Sequence, residues 1–282
     1  MTQTPNTPQP AAESAPALVQ TATVLETGTP ATSEAAETTE VTETAATASD
    51  TQGPTAVAGN ERQVHFYILL DRSGSMESMK SDVIGGFNSF LAEQQAVKGR
   101  ARLTLVQFDS QNPQETIVDA GRLKDVTPLT AATFSPRGGT PLLDATAELI
   151  ERVLGRQAKR AALGSSEEEV VFITITDGEE NQSVRAGLAD VKRLIDVGTE
   201  HGWSFVFLGA GVDAYADAGR LGYSVDSVQA WDADGEGAQA MWGSVSRAAH
   251  TLRVDVAMNA TFDKKAYFRG VKEAEARRLN PS

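Results

Sequence analysis

The sequence predicts an α/β domain, with a mostly parallel sheet in three layers. Three observations predict it. From residue 62 onward, apolar runs alternate with amphipathic stretches. Two of those runs, 170–175 and 205–208, are almost continuously apolar, as strands covered on both faces must be. One connection, the Asn112-Pro113 turn after Phe108, is too short for a crossover helix and marks an antiparallel edge strand.

The elements follow in order. Val64-His65-Phe66-Tyr67-Ile68-Leu69-Leu70 is the first strand, and an amphipathic helix spans 78–97. Strands are expected at 102–108 and, on the sheet edge, at 116–120. A helix over 141–163 leads to a strand at 170–176. A helix over 186–201 then precedes a strand at 204–208. The chain continues with a helix at 214–221, a weakly marked sixth strand at 224–228 and a helix at 238–249. About 190 residues are enough for a substantial core.

The first 61 residues are different. They are dominated by Thr, Ala, Pro, Glu and Ser, and Phe, Tyr, Trp and Ile are absent before Phe66. Such a segment cannot bury enough apolar area to offset the entropy of ordering, so 1–61 is expected to be a disordered acidic tail. Residues 62–255 form the domain, and 256–282 a helical extension. The stretch 262–280 carries six Lys and Arg and reads as a solvated basic helix.

Charge and composition exclude several classes. The 282 residues carry a formal charge of -13. The tail holds eight of the 38 acids and none of the 25 Lys and Arg, so the remainder is only mildly acidic. That balance argues against a nucleic-acid backbone as the main partner. There are no cysteines, which excludes disulfides, thiolate catalysis and cysteine zinc sites. The start, Met1-Thr2-Gln3-Thr4-Pro5, lacks a positive and then apolar signal pattern, and no apolar run approaches a membrane span. A soluble cytoplasmic protein is expected.

The chemistry concentrates where the first strand ends. Asp71-Arg72-Ser73-Gly74-Ser75 puts a carboxylate and two hydroxyls at alternate positions on the loop leaving a buried strand. Hard divalent cations such as Mg²⁺ take such an all-oxygen set, which offers nothing soft for zinc or copper. Gly138-Gly139-Thr140-Pro141 and Thr174-Ile175-Thr176-Asp177-Gly178 can complete it. All three segments belong at the carboxyl ends of strands or on nearby loops, where open α/β sheets bind ligands. Each residue also has a plain structural role open to it. Ser75 and Thr140 suit helix N-caps, the latter with Pro141 at the first helical position. Asp71 and Asp177 can simply end strands and accept backbone N–H bonds. Two close carboxylates, however, repel unless a cation or proton lies between them.

Asp71-x-Ser73-x-Ser75, then Thr140, then Asp177-Gly178 resembles the von Willebrand factor type A domain. The resemblance covers about residues 62–255, and all five motif positions match. It implies a Rossmann-like, doubly wound sheet of six strands in the order 3-2-1-4-5-6, with one antiparallel edge strand. It also implies an intact metal-ion-dependent adhesion site at Asp71, Ser73, Ser75, Thr140 and Asp177, holding Mg²⁺ or Mn²⁺. Ser73, Ser75 and Thr140 would ligate directly, and the aspartates directly or through water. The open coordination position would take an Asp or Glu of a protein partner. Bacterial intracellular members of the family often serve as adaptors or assembly factors. The implied function is therefore metal-dependent protein binding without catalysis.

Other signals are weaker. Asp109, Asp144, Glu179 and Glu180 fall near the same face and read as exposed loop acids. Gly209-Ala210-Gly211-Val212-Asp213-Ala214 matches a dinucleotide fingerprint, but follows the fifth strand where the first is required. Asp232-Ala233-Asp234-Gly235 opens like a calcium loop, yet Gly243 stands at the twelfth position where a bidentate Glu belongs. His65, His201 and His250 are scattered and suggest no triad, and Trp203, Trp231 and Trp242 read as core anchors. The rival readings are a phosphoryl-transfer enzyme using Asp71, a surface adhesin and an RNA-associated type A protein. The first lacks a second acid at Ser73, the second an export route, and the third a favourable charge.

Overall fold

Strand β1 (Gln63–Asp71) is buried along its whole length and occupies the middle of the sheet. It pairs in parallel with β2 (Ala101–Asp109) on one side and β4 (Glu168–Thr176) on the other. The computed structural model describes residues 62–210, 213–258 and 260. The chain divides into two units, Met1–Thr55 and Ala56–Ser282, and the first lies wholly outside the described residues. So do the acidic segment expected over 1–61 and the basic helix expected over 262–280.

Strand β3 (Asn112–Arg122) runs antiparallel to β2 at one edge, while β5 (Ser204–Ala210) and β6 (Val228–Trp231) extend the sheet in parallel at the other. The order is β3-β2-β1-β4-β5-β6, the one the type A resemblance implies. Crossover helices join the parallel strands, as parallel pairing requires. Helices α1 (Lys80–Ala96) and α5 (Gly235–Ala257) pack on one face, around Phe66, Phe87, Phe90 and Trp242. Helices α2 (Leu142–Ala162), α3 (Leu188–Glu200) and α4 (Ala214–Leu221) pack on the other, around Leu69, Ile150, Phe172 and Phe207. The central strands have apolar side chains on both faces because both faces are covered. Trp203, Trp231 and Trp242 are all buried in these layers, as expected.

Three expectations are corrected. The sixth strand is Val228–Trp231, whereas 225–227 form a short 3-10 turn. The Ser224-Val225-Asp226-Ser227 stretch is too polar to be a buried strand, and its Ser227 hydroxyl bonds back to the Ser224 carbonyl at 2.7 Å. The first helix begins later than expected, because residues 74–79 form a 3-10 helix ahead of α1. Ser75 therefore lies inside that turn and caps no helix. Thr140 is not the cap of α2 either. Pro141 holds the N-cap position, with φ -81° and ψ 60°, and no side chain of its own to cap with.

Candidate metal centre

Three segments converge where β1, β2 and β4 end. Backbone hydrogen bonds stitch them together. The Arg72 N–H reaches the Phe108 carbonyl at 2.9 Å, and the Gly74 N–H reaches Gly138 at 3.0 Å. Arg137 donates its N–H to the Arg72 carbonyl at 2.9 Å. On the other side, the Thr140 N–H donates to the Asn181 side-chain oxygen at 2.9 Å and its carbonyl accepts from the Asn181 N–H at 3.2 Å. The Gly138-Gly139-Thr140 loop is thus clamped between the loops that follow β1 and β4. Gly138 adopts φ +67°, and a Cβ there would strike the Ser110 hydroxyl at 2.5 Å. Only glycine fits that position.

Asp71 is fully buried at the end of β1. One carboxylate oxygen accepts the Ser73 N–H at 2.6 Å and the other accepts the Thr176 hydroxyl at 2.6 Å. Ser73 Oγ lies 3.0 Å from Ser75 Oγ, and Ser75 donates to Asp177 Oδ1 at 2.8 Å. Asp71, Ser73, Ser75 and Asp177 therefore form one continuous polar chain. Thr140 joins them at Gly178, where a Cβ would meet the Thr140 hydroxyl at 3.2 Å and the Ser75 hydroxyl at 3.7 Å. The Thr140 side chain is buried, and its hydroxyl has no hydrogen-bond partner among the described residues. The five residues singled out in the sequence are thus gathered in one place.

The electrostatics are those of an anionic cluster lacking a counter-charge. Burial pushes the Asp71 carboxyl up to about 6, against the lowering effect of the Thr176 and Ser73 hydrogen bonds, and Asp177 raises it further. Burial also raises Asp177 above the usual carboxylate range. No Lys or Arg forms an ion pair with either aspartate among the described residues. Among those residues, no group of three or more His, Cys, Asp or Glu is placed to hold a metal. The candidate set has two carboxylates and three hydroxyls, so its donors are oxygen only, as Mg²⁺ and Mn²⁺ prefer. The close approach of Gly178 to the Thr140 and Ser75 hydroxyls keeps these oxygens together, and the all-oxygen set suits a hard divalent cation.

Three of the four acids expected to be exposed are not: Asp109 and Asp144 are buried and Glu180 is half-buried. Asp109 is fully buried. It receives Arg72 Nε at 2.9 Å, Arg137 Nε at 3.0 Å and the N–H groups of Gln111 and Asn112 at 2.7 and 3.0 Å. Burial acts to raise its carboxyl, but the Arg72 guanidinium and those backbone donors hold it below the usual range. Arg72, the variable residue inside the motif, is turned away from the cluster and into this anchor. Asp144 is also buried and accepts the N–H groups of Val184, Arg185 and Ala186 at 2.7–2.9 Å. Glu180 and Ser183 in turn cap α2, taking the N–H groups of Leu143 and Asp144 at 2.8 and 3.0 Å. Glu179 alone is exposed as expected. Thr176 was not assigned a role in the sequence, although its position next to Asp177 and the strand register both point to it. Of the dinucleotide-like turn, Gly211 and Val212 lie outside the described residues.

No protein-family model matches the chain, and no curated protein matches it. Solved structures do match. The pilus adhesin SpaC from Lactobacillus rhamnosus GG, in an open conformation, is 14% identical, with 69% of this chain aligned to 31% of that one at a TM-score of 0.50. A von Willebrand factor type A protein from Catenulispora acidiphila is 16% identical, with 67% of this chain aligned to 43% of that one at 0.47. Manganese-loaded TRAP protein from Plasmodium vivax is 15% identical, with 64% aligned to 72% at 0.42. This chain spans less than half the length of the first two. At these identities the likeness is one of fold. Among the described residues, no helix is long and apolar enough to cross a membrane.

Proposed function

We propose that this domain is a divalent-metal-dependent protein-binding module of the type A kind, with its metal-ion-dependent adhesion site at Asp71, Ser73, Ser75, Thr140 and Asp177. One observation carries the reading. Two carboxylates without a cationic partner and three hydroxyls meet on three stitched loops, and one of those hydroxyls, Thr140, has no partner among the described residues. Ser73, Ser75 and Thr140 would supply neutral oxygen ligands, and Asp71 and Asp177 the charge. A bound Mg²⁺ or Mn²⁺ would supply a positive centre with a coordination position open to a partner's carboxylate.

The chain's own residues do the remaining work. Thr176 and the Ser73 N–H fix Asp71 and leave its carboxylate no freedom to swing. Arg72 and Asp109 lock the loop from beneath. We read the domain as non-catalytic. Both oxygens of Asp71 are engaged in hydrogen bonds, which is poor preparation for a nucleophile. The partner is a protein presenting an Asp or Glu.

The test is affinity capture with the full chain in Mg²⁺ and in chelator, wild type against Asp71→Ala, with calorimetric titration of Mg²⁺, Mn²⁺ and Zn²⁺. The expected result is Mg²⁺ or Mn²⁺ binding by the wild type alone, and a partner retained only with metal. Equal Mg²⁺ binding by both proteins overturns the site. Capture that ignores chelator overturns the function while leaving the site standing.

A further inference from the structure

At the other end of the sheet, below the starts of β1 and β2, lies a second concavity of about 460 Å³. Among the described residues its lining includes Arg100, Arg102, Arg122, Lys124 and Arg253, and not one Asp or Glu. β2 alone, at about 3.3 Å per residue, puts this pocket roughly 25 Å from the metal cluster.

Five cations around one cavity repel one another unless something compensates them. The compensation present is partial. Arg122 pairs with Asp125 at 2.7 Å, and Arg102 donates to the Ala120 carbonyl at 2.6 Å with Glu168 at 4.0 Å. Arg100 and Lys124 form no ion pair among the described residues. Arg253 is only 4% exposed and has no carboxylate partner among the described residues. Its guanidinium bonds instead to the carbonyls of Gln94, Val97 and Gly99, at the negative end of the α1 dipole. Arg253 Nε also remains buried without a hydrogen-bond partner among the described residues.

We propose that this pocket binds a compact polyanion, a small molecule carrying two or more phosphate groups. The size suits a small ligand rather than a polymer. The exposed Arg100 and Lys124, which have no ion pair among the described residues, supply the direct contacts, Arg100 as a planar fork matched to phosphate oxygens. A single carboxylate would neutralise one of the five charges, whereas a di- or triphosphate neutralises several at once. The site stands independently of the metal cluster and of the function proposed for it.

The test is calorimetric titration of the full chain with sodium tripolyphosphate, in low-salt buffer free of divalent cations. Arg100→Gln/Lys124→Gln removes the two unpaired cations. Both side chains are exposed, so the variant keeps the wild-type unfolding midpoint. Lys192→Gln/Arg193→Gln on α3 makes the same charge change elsewhere. The expected result is saturable binding that weakens at least tenfold in the pocket variant and less than twofold in the α3 variant. Absence of binding, equal loss in both variants, or hexaglutamate binding as tightly as tripolyphosphate overturns the proposal.

Discussion

Asp71 and Thr176 end neighbouring strands, and the Thr176 hydroxyl donates to the Asp71 carboxylate at 2.6 Å. The β1–β4 register pairs Leu70 with Ile175, so the next step along both strands brings these two side by side. Asp177 is one residue further on and leans towards Ser75 instead. The two acids of the cluster are therefore held apart by different hydroxyls.

Thr176→Val keeps the side-chain shape and deletes the donor. A hydrogen bond to a charged group contributes about 1.5–3 kcal/mol. Thr176→Val should lose that much folding stability, read as a lower urea midpoint. An unchanged midpoint would show that Thr176 merely fills space and that Asp71 needs no such support.

Much of the fold was legible because burial imposes a pattern on sequence. The strands 64–70, 170–176 and 204–208 each fall inside an observed strand, since two-sided burial demands unbroken apolar runs. The five cluster residues were picked out by their resemblance to the type A motif, which starts from the spacing of Asp71, Ser73 and Ser75. What escaped depended on distant partners. Asp109 looks like any loop acid until Arg72, 37 residues away, is folded against it. Asp144 is similar, serving N–H groups 40 to 42 residues on. Thr140-Pro141 has the local signature of a helix start, but Glu180 and Ser183 take the capping role from across the loop. Such exchanges leave no mark within a short window.

That reassignment of the cap gives a clean experiment on Thr140. Its backbone N–H and C=O are held by Asn181 whatever the side chain is. Thr140 is buried, so Thr140→Ala should cost about 1 kcal/mol through the lost methyl group rather than through a lost cap. Partner capture in Mg²⁺ should nonetheless weaken markedly, and Thr140→Ser should restore it. A folded Thr140→Ala protein with full capture would place the partner elsewhere on the surface.

The Arg72–Asp109 pair should matter to stability more than any surface ion pair. Arg72 is only 3% exposed and Asp109 is fully buried. Breaking a buried pair from one side costs up to about 3–5 kcal/mol, and here Arg137, still 3.0 Å from Asp109, offsets part of that. Arg72→Met should therefore lower the urea midpoint strongly. Arg72→Met/Asp109→Asn should recover part of the loss, since asparagine keeps an acceptor for the Gln111 and Asn112 N–H groups while shedding the charge. If the double variant is less stable than the single one, Arg137 suffices to neutralise Asp109.

Acid sensitivity should trace to Glu168, at the end of the sheet away from the Asp71 cluster. Its side chain is fully buried and bonds Gln63 at 3.0 Å, Gln157 at 3.0 Å, Arg156 at 3.2 Å and His65 at 3.3 Å. Burial acts to raise its carboxyl, but these partners outweigh it and bring it down to about 2. A depressed carboxylate contributes stability above its unfolded value near 4.5, and that contribution is lost as pH falls towards 2. The shift corresponds to an effect on the order of 3 kcal/mol. His65 acts in the same direction but higher up, because burial lowers it from 6.5 and only the unfolded chain takes a proton there. Asp71 opposes both, since a raised carboxyl adds stability as pH falls from about 6 to 3.8. His65 and Asp71 act in opposite directions as pH falls through 6, and the Glu168 loss sets in below about pH 4.5. Urea unfolding of wild type and Glu168→Gln from pH 7 to 3 separates these effects. The gap in stability between the two proteins should hold steady down to about pH 5 and then narrow steeply. A gap of constant size down to pH 3 would mean that Glu168 is neutral in the fold, and that the arginines around it do not need its charge.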